Sequence, residues 1–436
     1  MSFFVKLSFL MLGLTYDAQF LQISQGLFVY DVLFFGMMAF YIAGTGFKVK
    51  VMIPRPWLYL SGLFILAHLT TIIVTFVIGY PNLDMETVIF IKFLYLFSLM
   101  VFASLIVDDR LVEDAFWYFA VGVIAVAAFG LYQVSHATGG HLLAGHYYRI
   151  AHHDEGLLNA NTLTIQTSIG GTIVLMFFIK ERSVLKKWGV YLPAFLFLMG
   201  VTFFTFSKGG WTGFALGTVV SLALCVKRIG FLRLGASCLV LAATVYFALV
   251  KIPFLEYLPA AVGHRLSEGQ MTGSFQRVDY FYDVFVLLFM EPVVVLLSGA
   301  GFKNYTYMVH EKYQFFAPGD NPHNLLSYLF FGTGFTGAFL VIALFASILW
   351  TVFKCRRACV RLEGRGGQRA LYVNMFISWL IVSIWFSLIS AYPIFHHTFW
   401  VFTGIAGRYM HDLIKMKQSS PNASRGAESG LGPVTR

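Results

Sequence analysis

The chain has 436 residues, 58% hydrophobic and only 12% charged, about half the charged share of a soluble globular protein. That excludes a soluble globular fold. The net charge of +10 is read as a topology signal carried by the loops, not as a nucleic-acid signal.

Apolar runs of membrane-spanning length recur from end to end, which predicts an all-α polytopic membrane protein with about twelve transmembrane helices. In chain order the spans are 3–15, 27–44, 57–78, 88–107, 115–135, 162–179, 189–206, 211–226, 234–251, 325–349, 371–390 and 394–410. The first run has only Lys6 near its start and no small-x-small cleavage site, so the first helix itself is expected to direct insertion.

Basic residues collect in alternate loops. Lys48, Lys50 and Arg55 lie in one, Lys180, Arg182, Lys186 and Lys187 in the next, then Lys227, Arg228 and Arg233, then Lys354, Arg356, Arg357, Arg361, Arg365 and Arg369. Lys6, Arg110 and the basic C-terminal residues fall on the same side, which predicts that both termini are cytoplasmic. Cys225, Cys238, Cys355 and Cys359 lie near that side too, so no external disulfide is expected. Cys355 and Cys359 stand four apart without an accompanying His or Cys pair, and no metal is expected there.

The basic residues outside this set are Lys92, Arg149, Lys208, Lys251, Arg265, Arg277, Lys303 and Lys312. Each is disfavoured by the positive-inside rule and invites a reason: anion binding, a salt bridge or snorkelling. Lys92 and Lys251 read as helix-end residues, and Lys312 follows Glu311. Two external segments, 136–161 and 252–324, are long enough to suggest function. The first is rich in histidine. In the second, Ser274–Leu297 reads as an amphipathic helix, with Val284, Phe285 and Leu288 on its apolar face and Gln276, Asp279 and Asp283 on a polar stripe. Arg277 has no acidic residue three or four positions away. Pro292 should kink or end this helix, and Gly299-Ala300-Gly301 should make a turn.

Asp320 or Asn321 can cap the following helix, with Pro322 at its first position and His323 in its first turn. The positive helix end disfavours imidazolium there. His323 then reads either as a neutral general base or as a histidine bonded to a loop carbonyl. His396-His397 also faces outward, as a second polar cluster or an interfacial pair. Ser207-Lys208-Gly209-Gly210-Trp211 joins two spans too close for a real loop. The glycines are expected to turn the backbone, and Lys208 either snorkels or binds an anion.

Three of these pieces, in this order, resemble the bacterial O-antigen ligase and polymerase superfamily over about residues 156–345. Ser207-Lys208-Gly209-Gly210-Trp211 is similar to the family's Ser-Arg-Gly-aromatic hairpin. Arg277 with Pro292 and Gly299-x-Gly301 is similar to its external-helix motif. Pro322-His323-Asn324 with Gly332, Gly334 and Gly337 is similar to its histidine motif. Gly156-x-x-Asn159-x-Asn161 also resembles a family segment. Lys208 stands where the family more often has Arg, which keeps the charge but loses the bidentate fork.

The resemblance implies a metal-independent, cofactor-free, inverting glycosyltransferase whose donor is an undecaprenyl-diphosphate-linked glycan. His323 would be the general base. Arg277, Lys208 and Arg265 would offset the diphosphate charge. Asp279 or Asp283 would orient the histidine or the acceptor, with Asn321 and Asn324 in support. The acceptor is a second lipid-linked repeat for a polymerase or lipid A-core for a ligase; the likeness of Tyr30-Asp31 to polysaccharide polymerases favours the first. A flippase or chain-length regulator is an implied partner, together with membrane lipids. The resemblance places the protein in the bacterial inner membrane with its site on the periplasmic face. The expected organisation is an N-terminal bundle (1–251), a periplasmic loop with catalytic elements (252–324), C-terminal helices (325–417) and a disordered tail (418–436). From another class, a twelve-helix secondary transporter would show internal repeats and charges at the midplane. No convincing repeat is seen, and the charges read as clustering at span ends.

Overall fold

A computed structural model describes residues 2–14, 22–24, 27–45, 51–108, 110–137, 160–205, 207–229, 282–313, 324–363, 367–389 and 394–419. The protein is an all-α, multi-pass membrane protein. In chain order its helices are α1 (Ser2–Leu14), α2 (Val29–Thr45), α3 (Arg55–Ile78), α4 (Leu83–Ile106), α5 (Val112–Ala137), α6 (Ala160–Lys180), α7 (Val184–Phe204), α8 (Lys208–Ile229), α9 (282–289), α10 (Val293–Ser298), α11 (Leu325–Glu363), α12 (Gln368–Ile389) and α13 (His397–Ser419). A short antiparallel pairing of Gln22–Ser24 with Leu27–Phe28 precedes α2.

Among the described residues, eight helices are long and apolar enough to cross a membrane. Every expected span coincides with a helix except 234–251, which lies outside the described residues, as do residues 138–159 of the expected loop 136–161; Ala160 and Asn161 already belong to α6. Phe40, Phe76, Val77, Phe339 and Trp350 are largely exposed. Such a scatter of large apolar side chains on a bundle surface is what lipid, not water, accepts.

Inside, α6 and α12 form the centre. Ala370 to Leu380 is buried without interruption, and on α6 Thr164, Gln166, Thr167, Ser168 and Thr172 are buried. Small hydroxyl residues let membrane helices approach and bond across the seam. Thr202 donates to Thr167 Oγ1 at 2.6 Å, and Ser221 donates to Ser378 Oγ at 3.0 Å. The short α1 is fastened to α5 by backbone contact: a Cβ on Gly13 would lie 2.3 Å from the Phe119 carbonyl oxygen. The turn at 79–82 meets the segment 299–313 through Asn82 and Lys303, and Phe302 meets Phe395, so these segments gather at one end of the bundle. At the other end Lys180 pairs with Glu113, to which Tyr372 also donates.

A second, smaller core forms at the first end. Val284, Leu287 and Leu288 of α9, Val295 of α10, and Tyr305, Met308 and Val309 pack on Val74, Tyr80 and Phe331. The expected amphipathic helix is thus present in its described part, ends before Pro292, and lies against the bundle. Asp283, placed by sequence on a polar stripe, is buried instead.

Candidate functional site

The site is organised by a break in α11. Gly334 has φ 62° and ψ −166°, outside the helical range, and splits α11 near its start. Gly299 (φ 83°) and Gly301 (φ 91°) turn the chain after α10, in a left-handed region that favours glycine. The two glycine pairs meet. A Cβ on Gly334 would lie 2.4 Å from the Leu297 carbonyl oxygen and 2.5 Å from Gly299 N, and a Cβ on Gly299 would lie 2.5 Å from the Gly332 carbonyl carbon. Ala300 N donates to the Phe331 carbonyl at 2.8 Å, so the broken helix is bonded by the turn seated in it, as membrane burial requires.

The same turn is pinned from the other side by α3 and α4. Thr71 Oγ1 donates to the Ser298 carbonyl. Glu86, fully buried, accepts from the backbone N–H of Lys303 at 2.5 Å and from that of Phe302. Asn82 Nδ2 donates to the Lys303 carbonyl at 3.0 Å, and Asn304 Nδ2 to the Ala300 carbonyl at 2.7 Å. His68, also fully buried, has Nε2 at 3.3 Å from the Glu86 carbonyl oxygen and 3.9 Å from Glu86 Oε2. His68 Nδ1 and Glu86 Oε2 have no hydrogen-bond partner among the described residues. Sequence singles out neither: His68 stands alone in an apolar run, and Glu86 follows Asp84 just ahead of one.

Beside this turn lies a packed aromatic cluster. Phe302 packs on His68 (5.2 Å between ring centroids), Tyr328 (5.0 Å) and Phe395 (5.1 Å), and Phe395 on Phe93 (5.1 Å). Tyr95 donates to the buried Asp31 carboxylate and sets its ring on His397 at 5.6 Å. Lys92, three residues before Tyr95 on α4, is exposed at the protein surface, as is Lys303. Enclosure, followed by the charges of His397 and Lys92, pushes the His396 imidazole well below its usual pKa. His396 is therefore neutral at neutral pH.

Of the residues expected to form the site, Lys208, Asp283 and Asn324 are described. His323, Asn321, Arg277, Arg265 and Asp279 lie outside the described residues. Asn324 Oδ1 accepts from Ser327 N at 2.7 Å, the geometry of an N-cap. The cap of α11 is therefore Asn324, and the helix begins after His323 rather than before it. Lys208 is half-exposed at the first position of α8, where Ser207 Oγ accepts from Gly210 N at 3.2 Å. Gly209 and Gly210 do not turn the backbone; they are helical and permit close packing. A Cβ on Gly209 would lie 2.4 Å from Ile389 Cδ1, and one on Gly210 2.5 Å from Thr164 Cβ. Asp283 is on α9, whose Phe285 touches Phe330 and Phe335 of α11 at 5.1 and 5.8 Å. The structure thus brings Asp283 and Asn324 onto neighbouring elements and sets Lys208 on α8, which packs chiefly on α6, α7 and α12.

Two further expectations are corrected. Lys92 is not at a helix end, because α4 starts at Leu83 and Lys92 sits nine residues inside it. Lys312 pairs with Glu291 rather than with the adjacent Glu311. Its ammonium also lies 5.1 Å from the Tyr80 ring and 5.2 Å from the Tyr313 ring, and Tyr313 OH donates to Glu291 at 2.6 Å. Burial alone would raise the Glu291 carboxyl, but the bonds from Lys312 and Tyr313 more than offset it and hold it below the usual range. Among the described residues no group of His, Cys, Asp and Glu is arranged to hold a metal ion. No protein-family model matches the chain, and no curated protein matches it.

Proposed function

We propose that the chain is a membrane glycosyltransferase that moves a glycan from a lipid diphosphate to a sugar hydroxyl, polymerising lipid-linked repeats of a surface polysaccharide or exopolysaccharide at the periplasmic face of a bacterial inner membrane. The observation that carries this reading is the seam between Gly299-x-Gly301 and Gly332-x-Gly334. Two segments on which the resemblance rests, some thirty residues apart in sequence, are one packed unit, with Asn324 capping the helix directly after His323. That is the support a reaction centre on a loop needs from its scaffold.

In this reading His323 takes the proton of the attacking hydroxyl, and the glycosidic bond to the diphosphate oxygen breaks as the new one forms. Arg277, Lys208 and Arg265 offset the charge that develops on the leaving diphosphate. Asp283, buried on α9, and Asp279 orient the base or the acceptor, with Asn321 and Asn324 beside them.

The test is deletion of the gene in its native host, with surface glycans resolved by size. Single repeats on lipid A-core, or loss of secreted high-mass polysaccharide, support polymerisation. Long chains that stay on the lipid carrier and never reach lipid A-core identify a ligase instead. The purified protein supplies the second arm: His323→Ala should abolish transfer and Arg277→Ala should weaken donor affinity. A fully active His323→Ala protein removes the assigned base.

A further inference from the structure

At the end of the bundle opposite the glycine seam, a pocket of about 300 Å³ opens on the last turns of α11. Among the described residues it is lined by Arg356, Arg357, Val360 and Arg361. These four positions fall on one side of the helix over two successive turns, while Val352, Cys355 and Cys359 on the other side are buried. Arg356 is the fixed wall. Its Nε donates to Asn374 Oδ1 of α12 at 2.7 Å, and its Nη2 donates to the Leu224 carbonyl of α8 at 3.3 Å. Arg357 and Arg361 are exposed, and neither forms an ion pair among the described residues. The carboxylate at this end of α11, Glu363, is bonded to Arg369. Like charges four residues apart on a helix repel, so Arg357 and Arg361 cost stability until an anion comes between them.

The surroundings of the pocket favour an anion that carries an acyl chain. Asn374 lies two residues from Tyr372, which donates to Glu113 beside Lys180, so the pocket belongs to the basic end of the bundle. Trp350 stands seven residues before Arg357 on the same face of α11, about 10 Å nearer the middle of the helix at a rise of about 1.5 Å per residue. It is 71% exposed, and Phe353 between the two is exposed as well. Aromatic rings at the lipid boundary with cations just beyond them match a phospholipid, its chain against Trp350 and Phe353 and its phosphate against the arginines. We infer that this pocket binds the phosphate headgroup of an anionic phospholipid, with Arg357 and Arg361 gripping the phosphate oxygens through their planar forks and Arg356 holding the wall. The site lies at the opposite end of the bundle from the proposed transfer chemistry and does not rest on it.

The experiment is native mass spectrometry of the full chain in detergent micelles titrated with phosphatidylglycerol, with phosphatidylcholine as the zwitterionic reference. Wild type should take up phosphatidylglycerol in preference to phosphatidylcholine. R361Q should weaken that uptake about fivefold and R357Q/R361Q about twentyfold or more, the scale of one and of two basic side chains at an anionic headgroup. R182Q removes an exposed arginine at the same end but outside the pocket, and should bind as wild type does. Uptake of the two lipids to the same extent by wild type overturns the proposal. So does unchanged uptake in R361Q and R357Q/R361Q, and so does an equal loss in R182Q, which would assign binding to the general positive charge of this surface. Inorganic phosphate that displaces phosphatidylglycerol at equal concentration overturns the lipid assignment and makes free phosphate the ligand. Both arginines are exposed, so the variants should keep the wild-type Tm in phosphatidylcholine alone; if the double variant does not fold, R361Q decides.

Discussion

Ala300 N–H and the Phe331 carbonyl bond at 2.8 Å, at the position whose own helical partner, the N–H of Phe335, lies beyond the break at Gly334. The turn after α10 and the start of α11 are therefore a single fitted unit, and the fit depends on residues without side chains.

Gly334→Ala places a Cβ 2.4 Å from a backbone oxygen and strains a φ of 62°. Gly299→Ala meets the same seam from the other side. Each should cost about 2–4 kcal/mol, the sum of overpacking and backbone strain. Gly62→Ala, on α3 with nothing within 4 Å of its Cβ, should be neutral or stabilising by up to about 1 kcal/mol. Thermal unfolding in detergent separates them; equal effects at all three positions would refute the seam.

Glu86→Ala leaves the N–H groups of Phe302 and Lys303 unpartnered, at about 1–3 kcal/mol for each one that stays buried. Glu86→Gln keeps an acceptor and should cost less. Limited proteolysis at residues 298–304 should accelerate in the alanine variant before the bundle itself unfolds. A loop that stays equally resistant in both variants would show that Glu86 does not hold it.

Lys208→Ala should raise the donor KM about tenfold or more while Tm hardly moves, because the side chain is half-exposed. Lys208→Arg restores the fork and should keep or improve affinity. A donor KM that ignores both changes means that Lys208 merely snorkels.

The Glu291 carboxyl is held below its usual pKa, so the folded state binds this proton less tightly than the unfolded chain does. Its stabilising effect is complete above the unfolded value, near about 4.3, and fades as pH falls through the folded value. The Tm difference between wild type and Glu291→Gln should be largest at pH 6 or above and close toward about pH 3. A difference that persists unchanged at low pH would assign the effect to packing.

Much of the fold is legible in the sequence because membrane helices must be long and apolar, and Gly299, Gly301 and Pro292 announce their turns. Helix starts are less legible. Counting only apolar residues begins α4 at Val88, whereas Asp84 and Glu86 belong to its first turn, where acidic side chains suit the helix dipole. That start puts Lys92 near a helix end, whereas it lies nine residues inside α4. The His68–Glu86 contact is invisible for a different reason: eighteen residues separate the partners, and only the packing of α3 on α4 joins them. Asp283 was assigned outward by its helical stripe, but α9 is covered on more than its apolar face.

The pinning of residues 298–304 has a consequence for biogenesis. Thr71 and Glu86 enter the membrane early, while Ser298 and Lys303 are synthesised 227 and 217 residues later. Throughout that interval the Glu86 carboxyl of the α3–α4 pair has only His68 beside it and lacks the N–H groups of Phe302 and Lys303. The notch between α3 and α4 is therefore completed only by a segment made in the second half of translation, so the N-terminal half on its own lacks the backbone donors that Glu86 accepts from.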